Sequence, residues 1–219
     1  TNETSHALGA NVRYGAWYVQ PIVGVKQTWS RDVVYNADTT FHFNESELSG
    51  GLVLPLNLTG GKSFRSLTIS SMVHSNKVRW QGIGKDLLRN LDFTYFEGRL
   101  AYTSQIQKAR QHIYPRIAQA LTASYKTMID KNVANQLLFT GSFYLPGISQ
   151  NHNLVISAAW QGRDTMRQYA HTNIFPFSRG YTAVNFPRMW VIGANYHFPV
   201  FYPDWGFGNM VSAASEFLY

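Results

Sequence analysis

Large apolar side chains recur at every second position along much of the chain. In residues 64–73 the apolar set and the hydroxyl set fall on opposite faces: Leu67, Ile69 and Val73 against Ser66, Thr68 and Ser70. Successive side chains of a β-strand point to opposite faces of its sheet, so a period of two predicts strands. No segment shows the longer period of an extended amphipathic helix. The chain is therefore predicted to be all-β.

About ten segments of about ten residues each show this alternation. They are residues 11–19, 22–35, 48–58, 64–73, 96–102, 116–125, 135–143, 153–160 and 190–198, and the last ten residues. Such a length suffices for a tilted strand that crosses a bilayer, whereas strands of soluble sheets usually have about five or six residues. Pro55 interrupts the third segment and predicts a bulge or a position at the membrane edge, because proline donates no backbone hydrogen bond.

The composition indicates what surrounds these strands. Aromatic residues make up 15% of the chain and charged residues only 14%, against about 25% charged in a typical soluble domain. A soluble sheet carries charged residues on its wet face, whereas the second face here holds Ser, Thr, Asn, Gly and Ala. That pattern suits a barrel in lipid, with rings at the headgroup levels and a polar lumen. We therefore predict a transmembrane antiparallel up-and-down β-barrel of about ten or more strands, formed as a single domain by residues 1–219.

A soluble β-sandwich rich in aromatic residues is the alternative fold, because alternation alone does not distinguish lipid from a second packed sheet. A helical membrane protein is excluded, since no apolar stretch approaches the roughly 18 to 20 residues that a membrane helix needs. The end of the chain favours the barrel: in "SAASEFLY", Phe217 and Tyr219 share one face. These residues resemble the terminal-strand signal of bacterial outer-membrane barrels, in which a glycine stands where this chain has Ala214.

A longer resemblance begins at the triplet Arg179, Gly180 and Tyr181, which a predicted strand and the stretch "NYHFPVFYPDWGFG" follow. This arrangement resembles the C-terminal β-barrel of the Omp85, or bacterial surface antigen, superfamily. Further segments resemble a branch of it found in Bacteroidota envelope proteins: "LPLNLTGGK" (54–62), "ARQHIYPRIAQ" (109–119), and residues 145–164 and 175–208. These segments occur in this order along the chain and cover about a third of it.

The resemblance implies that the loop carrying Arg179 folds into the lumen, where its guanidinium meets acidic residues of the inner wall. A guanidinium in a narrow lumen needs a carboxylate partner, and Glu97 and Asp164 are the candidates. Alternation by itself puts Glu97 and Arg99 on the same inward face, where they could pair with each other. The alternative for Arg179 is a loop position outside the lumen, with the following glycine making a turn.

The family resemblance also implies a location and a role. The location is the bacterial outer membrane, where the chain would be the C-terminal part of a larger protein. Its partners would be outer-membrane lipid and lipopolysaccharide, with other envelope proteins or periplasmic factors, and its role would be outer-membrane protein assembly or translocation. A passive porin, or a structural anchor within a larger envelope complex, is the alternative. The family pattern has Glu and Arg where this chain has Asn195 and His197, which leaves the partner of the loop arginine open.

The sequence offers little catalytic chemistry. Its seven histidines are scattered without the spacing of a metal site, and it has no cysteine for a disulfide or a thiolate site. "GGKS" (60–63) lacks the first glycine of a phosphate loop and predicts a hairpin turn. "NHN" (151–153) beside Ser149 would allow a barrel-embedded hydrolase, and a solvated loop histidine is the simpler interpretation. Although the net charge is +7, the basic residues are scattered. We therefore predict no nucleic-acid partner, no cofactor and no enzymatic activity.

Overall fold

The computed structural model describes residues 5–36, 39–107, 114–130, 134–149, 151–164, 171, 173–178, 180, 186–198, 206–207 and 211–212; for 32–36, 39–40, 206–207 and 211–212 it describes the backbone only. Nine strands form one antiparallel sheet in which neighbours in sequence are neighbours in space. They are β1 (His6–Arg13), β2 (Gln20–Asn36), β3 (Thr39–Asn57), β4 (Ser63–Gln81), β5 (Leu91–Ile106), β6 (Ala118–Met128), β7 (Asn135–Pro146), β8 (Asn153–Arg163) and β9 (Arg188–His197). The other described elements are a short helix, α1 (Gly84–Leu87), and a two-stranded pair, β10 (Gly206–Phe207) with β11 (Val211–Ser212).

The prediction of an all-β chain with up-and-down topology is thus confirmed. None of the helical residues described forms a helix long and apolar enough to cross a membrane. Within the described residues, β1 pairs only with β2 and β9 only with β8. This part of the chain therefore forms an open sheet of nine strands with two free edges, where a closed barrel of about ten or more strands was predicted.

Several strand boundaries differ from the prediction. The strand predicted over 11–19 is wrong, because β1 ends at Arg13 and the chain then turns. The N–H of Tyr14 donates to the carbonyl of Pro21 at 3.0 Å and closes the β1–β2 hairpin. In the opposite sense, β3 and β4 are longer than predicted, with 19 residues each. The "GGKS" turn is confirmed as the hairpin between β3 and β4, where Gly61 adopts a φ of +60°.

Pro55 lies two residues before the end of β3 and forms no bulge. The β3–β4 register runs without a shift through the pair Pro55 and Thr68. The β2–β3 register ends earlier, at the pair Gln20 and Val53. At Pro55 strand β3 therefore has a described partner on one side only, which is where a sheet tolerates a residue that donates no hydrogen bond.

The sheet has two chemically different faces, as the alternation predicts. We call the face that residues 173–178 cover the inner face, and the opposite one the outer face. Large apolar side chains of the outer face are exposed, among them Ile69 (40%) and Trp160 (39%), whereas polar side chains of the inner face are buried, among them Ser124 (8%) and Gln161 (0%). Burial is thus the inverse of that in a soluble sheet. The sandwich alternative requires a second layer over the outer face, and no described residues form such a layer.

Exposed apolar side chains form a band across the outer face of all nine strands, which we call the belt. Its members on β1 to β4 are Leu8, Val12, Val23, Val25, Leu48, Leu52, Ile69 and Val73, and those on β5 to β9 are Leu100, Leu121, Tyr125, Phe139, Phe143, Trp160, Trp190 and Ile192. The strand register brings them side by side. Trp160 lies opposite both Phe139 and Trp190, and its ring centroid is 5.9 Å from that of Phe139.

Strands β2 to β5 continue beyond the belt, and there the polar residues lie on the outer face and the apolar residues on the inner face. The first outer-face row past the belt is polar and consists of Gln27, Ser46, Lys77 and Asp92. The inner face there holds an apolar core of Phe43, Val78, Phe93, Met128 and Ala134, with Trp80, Leu91 and Tyr95 packed against it. We call this part of β2 to β5 the extension. The extension has the burial pattern of a sheet in water, and the belt does not.

Candidate functional site on the inner face

A row of charged side chains crosses the inner face on four adjacent strands. Nδ1 of His74 on β4 lies 2.6 Å from Oε1 of Glu47 on β3, and because a carboxylate only accepts, Nδ1 is the donor. The other ring nitrogen, Nε2, lies 3.6 Å from Oε2 of Glu97 on β5. The same carboxylate oxygen forms an ion pair with Nζ of Lys126 on β6, 3.3 Å away. The row thus links β3 to β6 through side chains as well as through the backbone ladder.

Tyr95 lies at the centre of this row. Its ring stacks on the imidazole of His74, with centroids 4.6 Å apart and planes 5° from parallel. Nζ of Lys126 lies 5.6 Å from the ring centroid of Tyr95, within the range of a cation–π contact. The imidazole of His171, from the connection between β8 and β9, meets the same ring edge-on at 5.4 Å. Tyr95 therefore joins the charged row to a segment distant in sequence.

That segment, residues 171 and 173–178 of the β8–β9 connection, lies on the inner face. Nε2 of His171 lies 3.3 Å from the carbonyl of Ala134, and the carbonyl of His171 accepts from Nη1 of Arg163 at 2.9 Å. Further along, Oδ1 of Asn173 accepts two hydrogen bonds. One comes from Nε2 of Gln161 at 3.0 Å, and the other from the backbone N–H of Phe175 at 3.1 Å. The segment is therefore fixed to buried polar groups of the sheet.

Phe175 anchors the segment by apolar packing. Its side chain is 8% exposed and forms a small core with Ala159 of β8 and Met189 of β9. Leu138, Phe177 and Val191 pack around this core. The adjacent Ile174 is 42% exposed and takes no part in it. One face of the segment is thus committed to the sheet.

A groove of about 800 Å³ lies between the end of this segment and the far half of the inner face. Its lining includes Ser142, Tyr144, Ser157, Asn195 and His197, with Phe177 and Ser178 above it. The ring of Tyr114 closes one side, 5.5 Å from the ring of Tyr144 and 5.0 Å from that of His197. The lining is mixed: hydroxyl, amide and aromatic groups lie among small apolar residues such as Val155, Ala159 and Val191. The charged row occupies the other half of the inner face.

The predicted site residues have different outcomes. Arg179, Tyr181, Phe217 and Tyr219 lie outside the described residues. Gly180 is described, and its φ of +85° is in the left-handed region that favours glycine.

Of the two candidate acids, Glu97 lies on the inner face as predicted. Among the described residues it forms an ion pair with Lys126 and lies 3.6 Å from Nε2 of His74, where a pair with Arg99 was suggested. Asp164 begins the β8–β9 connection, and its N–H donates to the carbonyl of Asn135 at 3.0 Å.

Sequence reasoning missed the core of this site: Glu47, His74, Tyr95, Lys126 and His171. One signal was available, because Lys126 shares its face with Ser124 and Thr122 in a strand whose other face is apolar. A charged residue on the small-residue face of such a strand has to be neutralised across the sheet. The partner strand and its register were not readable from the pattern.

The hydrolase alternative gains no support from the loop histidine. Nδ1 of His152 lies 2.7 Å from the hydroxyl oxygen of Tyr196, and the N–H of Ile148 donates to that oxygen at 3.1 Å. The contact between His152 and Ser149 is a backbone hydrogen bond of 3.1 Å. Among the described residues, no three His, Asp or Glu side chains are grouped to hold a metal ion.

On the outer face of the extension, beyond the belt, Arg79 and Asp92 form a two-point ion pair. Nη2 of Arg79 lies 3.1 Å from Oδ2 of Asp92. The hydrogen bonds from the guanidinium lower the pKa of the Asp92 carboxyl below its ordinary value of 3.8. An ionised pair on this face is consistent with a sheet surface in water.

No family pattern, no characterised protein and no solved structure matches the chain.

Proposed function

We propose that this chain is the membrane-spanning part of a bacterial outer-membrane β-barrel protein, an Omp85-like component of outer-membrane protein assembly or translocation machinery. The observation that carries the proposal is the inverted burial of the sheet. Large apolar residues are exposed on the outer face of nine strands, and His74, Asn76, Ser124, Gln136 and Gln161 are buried on the inner face. Exposed apolar surface on this scale requires a partner, and hydrocarbon is the partner that reaches every strand of a sheet.

The height of the belt fits a bilayer. The apolar outer face runs from Leu48 to Leu56 on β3 and from Leu67 to Val73 on β4, which is about 20 to 30 Å of strand at a rise of about 3.3 Å per residue. Tilted strands of outer-membrane barrels present an apolar band of about 25 Å. The change from apolar to polar side chains on the outer face, at Lys77 and Asp92, would then mark the level where this face leaves lipid for water.

A sheet in hydrocarbon must have no free edge, because each unpaired backbone group there costs several kcal/mol. The outer edges of β1 and β9 would therefore pair in the membrane with further strands. Those strands would come from the remaining residues of this chain or from the rest of a larger protein. The count of about ten or more strands in the closed barrel belongs to this proposal.

The segment on the inner face favours the Omp85-like role. In the resemblance, an Arg-Gly-Tyr loop enters the lumen. In this chain the residues that lead to Arg179 are held on the inner face by Phe175 and by hydrogen bonds from Arg163 and Gln161. The same segment also supports a second candidate, a structural anchor whose lumen is blocked. A passive porin is less favoured, because an open pore requires an inner face without such a segment.

Single cysteines test the membrane topology, since the chain has no cysteine of its own. Leu121→Cys and Phe139→Cys place a label on the belt, and Thr122→Cys and Thr140→Cys place it one residue away on the inner face. In reconstituted vesicles, we expect a fluorophore at the first two positions to be quenched by spin-labelled lipid. A fluorophore at Thr122→Cys or Thr140→Cys should be quenched by an aqueous quencher or by neither quencher. Equal quenching of all four labels by an aqueous quencher would falsify the membrane proposal.

Function is tested separately. We expect depletion of the protein to reduce the amount of other barrels that are correctly inserted in the outer membrane. Depletion that leaves them unchanged would favour the anchor, and steady conductance of the purified protein in planar bilayers would favour the porin.

A further inference from the structure

The two ends of the sheet differ in charge. Residues 14–19, 58–62, 107–117 and 147–152 connect consecutive strands at one end of the sheet, and we call the described residues at this end the turn end. The sequence has no Asp or Glu in residues 4–31, 48–85, 98–129 or 131–163, the four intervals that contain these turns. The acidic residues between them are in the connections at the opposite end of the sheet and in the strands that lead to it. Every one of the four turns is therefore free of acidic side chains.

Basic side chains at the turn end are exposed and have no ionic partner among the described residues. Lys62 lies in the β3–β4 turn, Arg65 at the start of β4, and Arg116 just before β6, and all three are exposed. The ion pairs found elsewhere in the described sheet join Arg31, Arg79 and Lys126 to acids nearer the other end. The described residues of the turn end thus present positive charge that none of them compensates.

Large rings and aliphatic side chains are exposed at the same level. Trp17 (64%) and Tyr18 (72%) lie in the β1–β2 turn and Phe64 (50%) at the start of β4. Ile148 (97%) lies in the β7–β8 turn, and Phe198 (51%) directly follows β9. Amphipathic rings beside basic residues suit the headgroup layer of a bilayer, where an apolar body and a charged tip are both accommodated. This surface is also continuous with the belt, which ends at the same turns.

We propose that the turn end binds the phosphate headgroups of an anionic phospholipid leaflet. The inference rests on the proposed function and adds to it the lipid chemistry and the end of the barrel that meets it. A phosphate attracts exposed Lys and Arg side chains, and an acidic side chain among them would repel it. The acids, together with the water-facing extension, are at the other end of the sheet, so the charge complementarity selects one end.

The test compares two sets of three exposed basic residues in the full chain. Lys62→Gln, Arg65→Gln and Arg116→Gln remove charge from the turn end, and Lys77→Gln, Lys85→Gln and Arg89→Gln remove the same charge from the extension end. Each protein is refolded into phosphatidylcholine vesicles with or without phosphatidylglycerol, and inserted protein is measured by its heat-shifted mobility on gels. We expect phosphatidylglycerol to increase insertion of the native chain and of the extension-end variant at low salt.

The turn-end variant should lose this gain, by up to about fivefold for each basic residue removed, while its insertion into neutral vesicles stays at the native level. Retention of the full gain by the turn-end variant, or equal loss in both variants, overturns the inference. Equal insertion of the native chain with and without phosphatidylglycerol also overturns it and leaves the membrane proposal intact. Failure of the native chain to insert into either kind of vesicle counts against the membrane proposal itself.

Discussion

A Cβ atom added to either of two adjacent glycines of β3, Gly50 and Gly51, would project from opposite faces of the sheet into different surroundings. A Cβ atom at Gly51 would lie 2.2 Å from the carbonyl oxygen of Ser71 and 2.8 Å from Cα of Met72, both backbone atoms of β4. A Cβ atom at Gly50 would meet nothing within 4 Å. The inner face at Gly51 therefore has no room for any other residue, because the obstacle is backbone that is held in the β3–β4 ladder.

We predict that Gly51→Ala destabilises the protein by about 1 to 3 kcal/mol, the usual cost of forcing a methyl group into a packed site. Gly50→Ala is the control and should be neutral or stabilising by up to about 1 kcal/mol, since it restricts the unfolded chain. The measurement is the free energy of unfolding in urea for the native chain and both variants in the same lipid. Equal stability of the two variants would show that β3 and β4 are not packed as closely as described.

At the scale of strands, the alternation predicted the existence of most elements and missed the extent of the longest ones. Consecutive apolar residues are separated by an odd number at the edge of the belt, from Phe43 to Leu48 on β3 and from Val78 back to Val73 on β4. An odd spacing moves the apolar side chain to the other face. A search for one continuous alternation therefore stops there, although the strand continues into the extension.

The candidate site was less predictable than the strands, because its contacts depend on register and on a loop. Glu97 lies opposite Lys126 only through the β5–β6 pairing. The ring of Tyr95 on β5 meets that of His171, which belongs to the connection between β8 and β9. Neither contact can be predicted from the spacing of residues along one strand. It led instead to Arg99 as the partner of Glu97, two residues away on the same face.

The inner-face segment gives a prediction of its own. Phe175→Ala removes the side chain that anchors residues 173–178, and burial of a phenylalanine in a core is worth about 3 to 5 kcal/mol. We expect faster hydrogen–deuterium exchange in this segment, and larger or more frequent conductance events in planar bilayers. Ile174→Ala changes a half-exposed neighbour and should leave both measurements near their native values. If the two variants behave alike, Phe175 does not hold the segment on the inner face.

For the whole molecule, the decisive question is the medium that covers the belt, and one substitution answers it by the sign of its effect. Phe139 lies on the belt between Ala123 and Trp160 and is 46% exposed. In water, replacing a half-exposed surface phenylalanine by arginine changes stability by about 0.5 kcal/mol or less. At the midplane of a bilayer, an arginine on the lipid face costs about 2 to 4 kcal/mol.

We therefore predict that Phe139→Arg destabilises the protein in vesicles by about 2 to 4 kcal/mol, measured as the shift of its urea unfolding transition. The matched variant is Thr140→Arg, one residue along β7, whose side chain lies on the inner face beside the groove. Its arginine would enter a polar environment, so we expect a smaller loss of stability and, in a conducting protein, a change in ion selectivity. The two variants add the same charge to the same strand and differ only in face. A Phe139→Arg protein that folds in vesicle-free buffer as stably as the native chain would mean that water covers the belt, and the lipid-binding inference at the turn end would lose its basis as well.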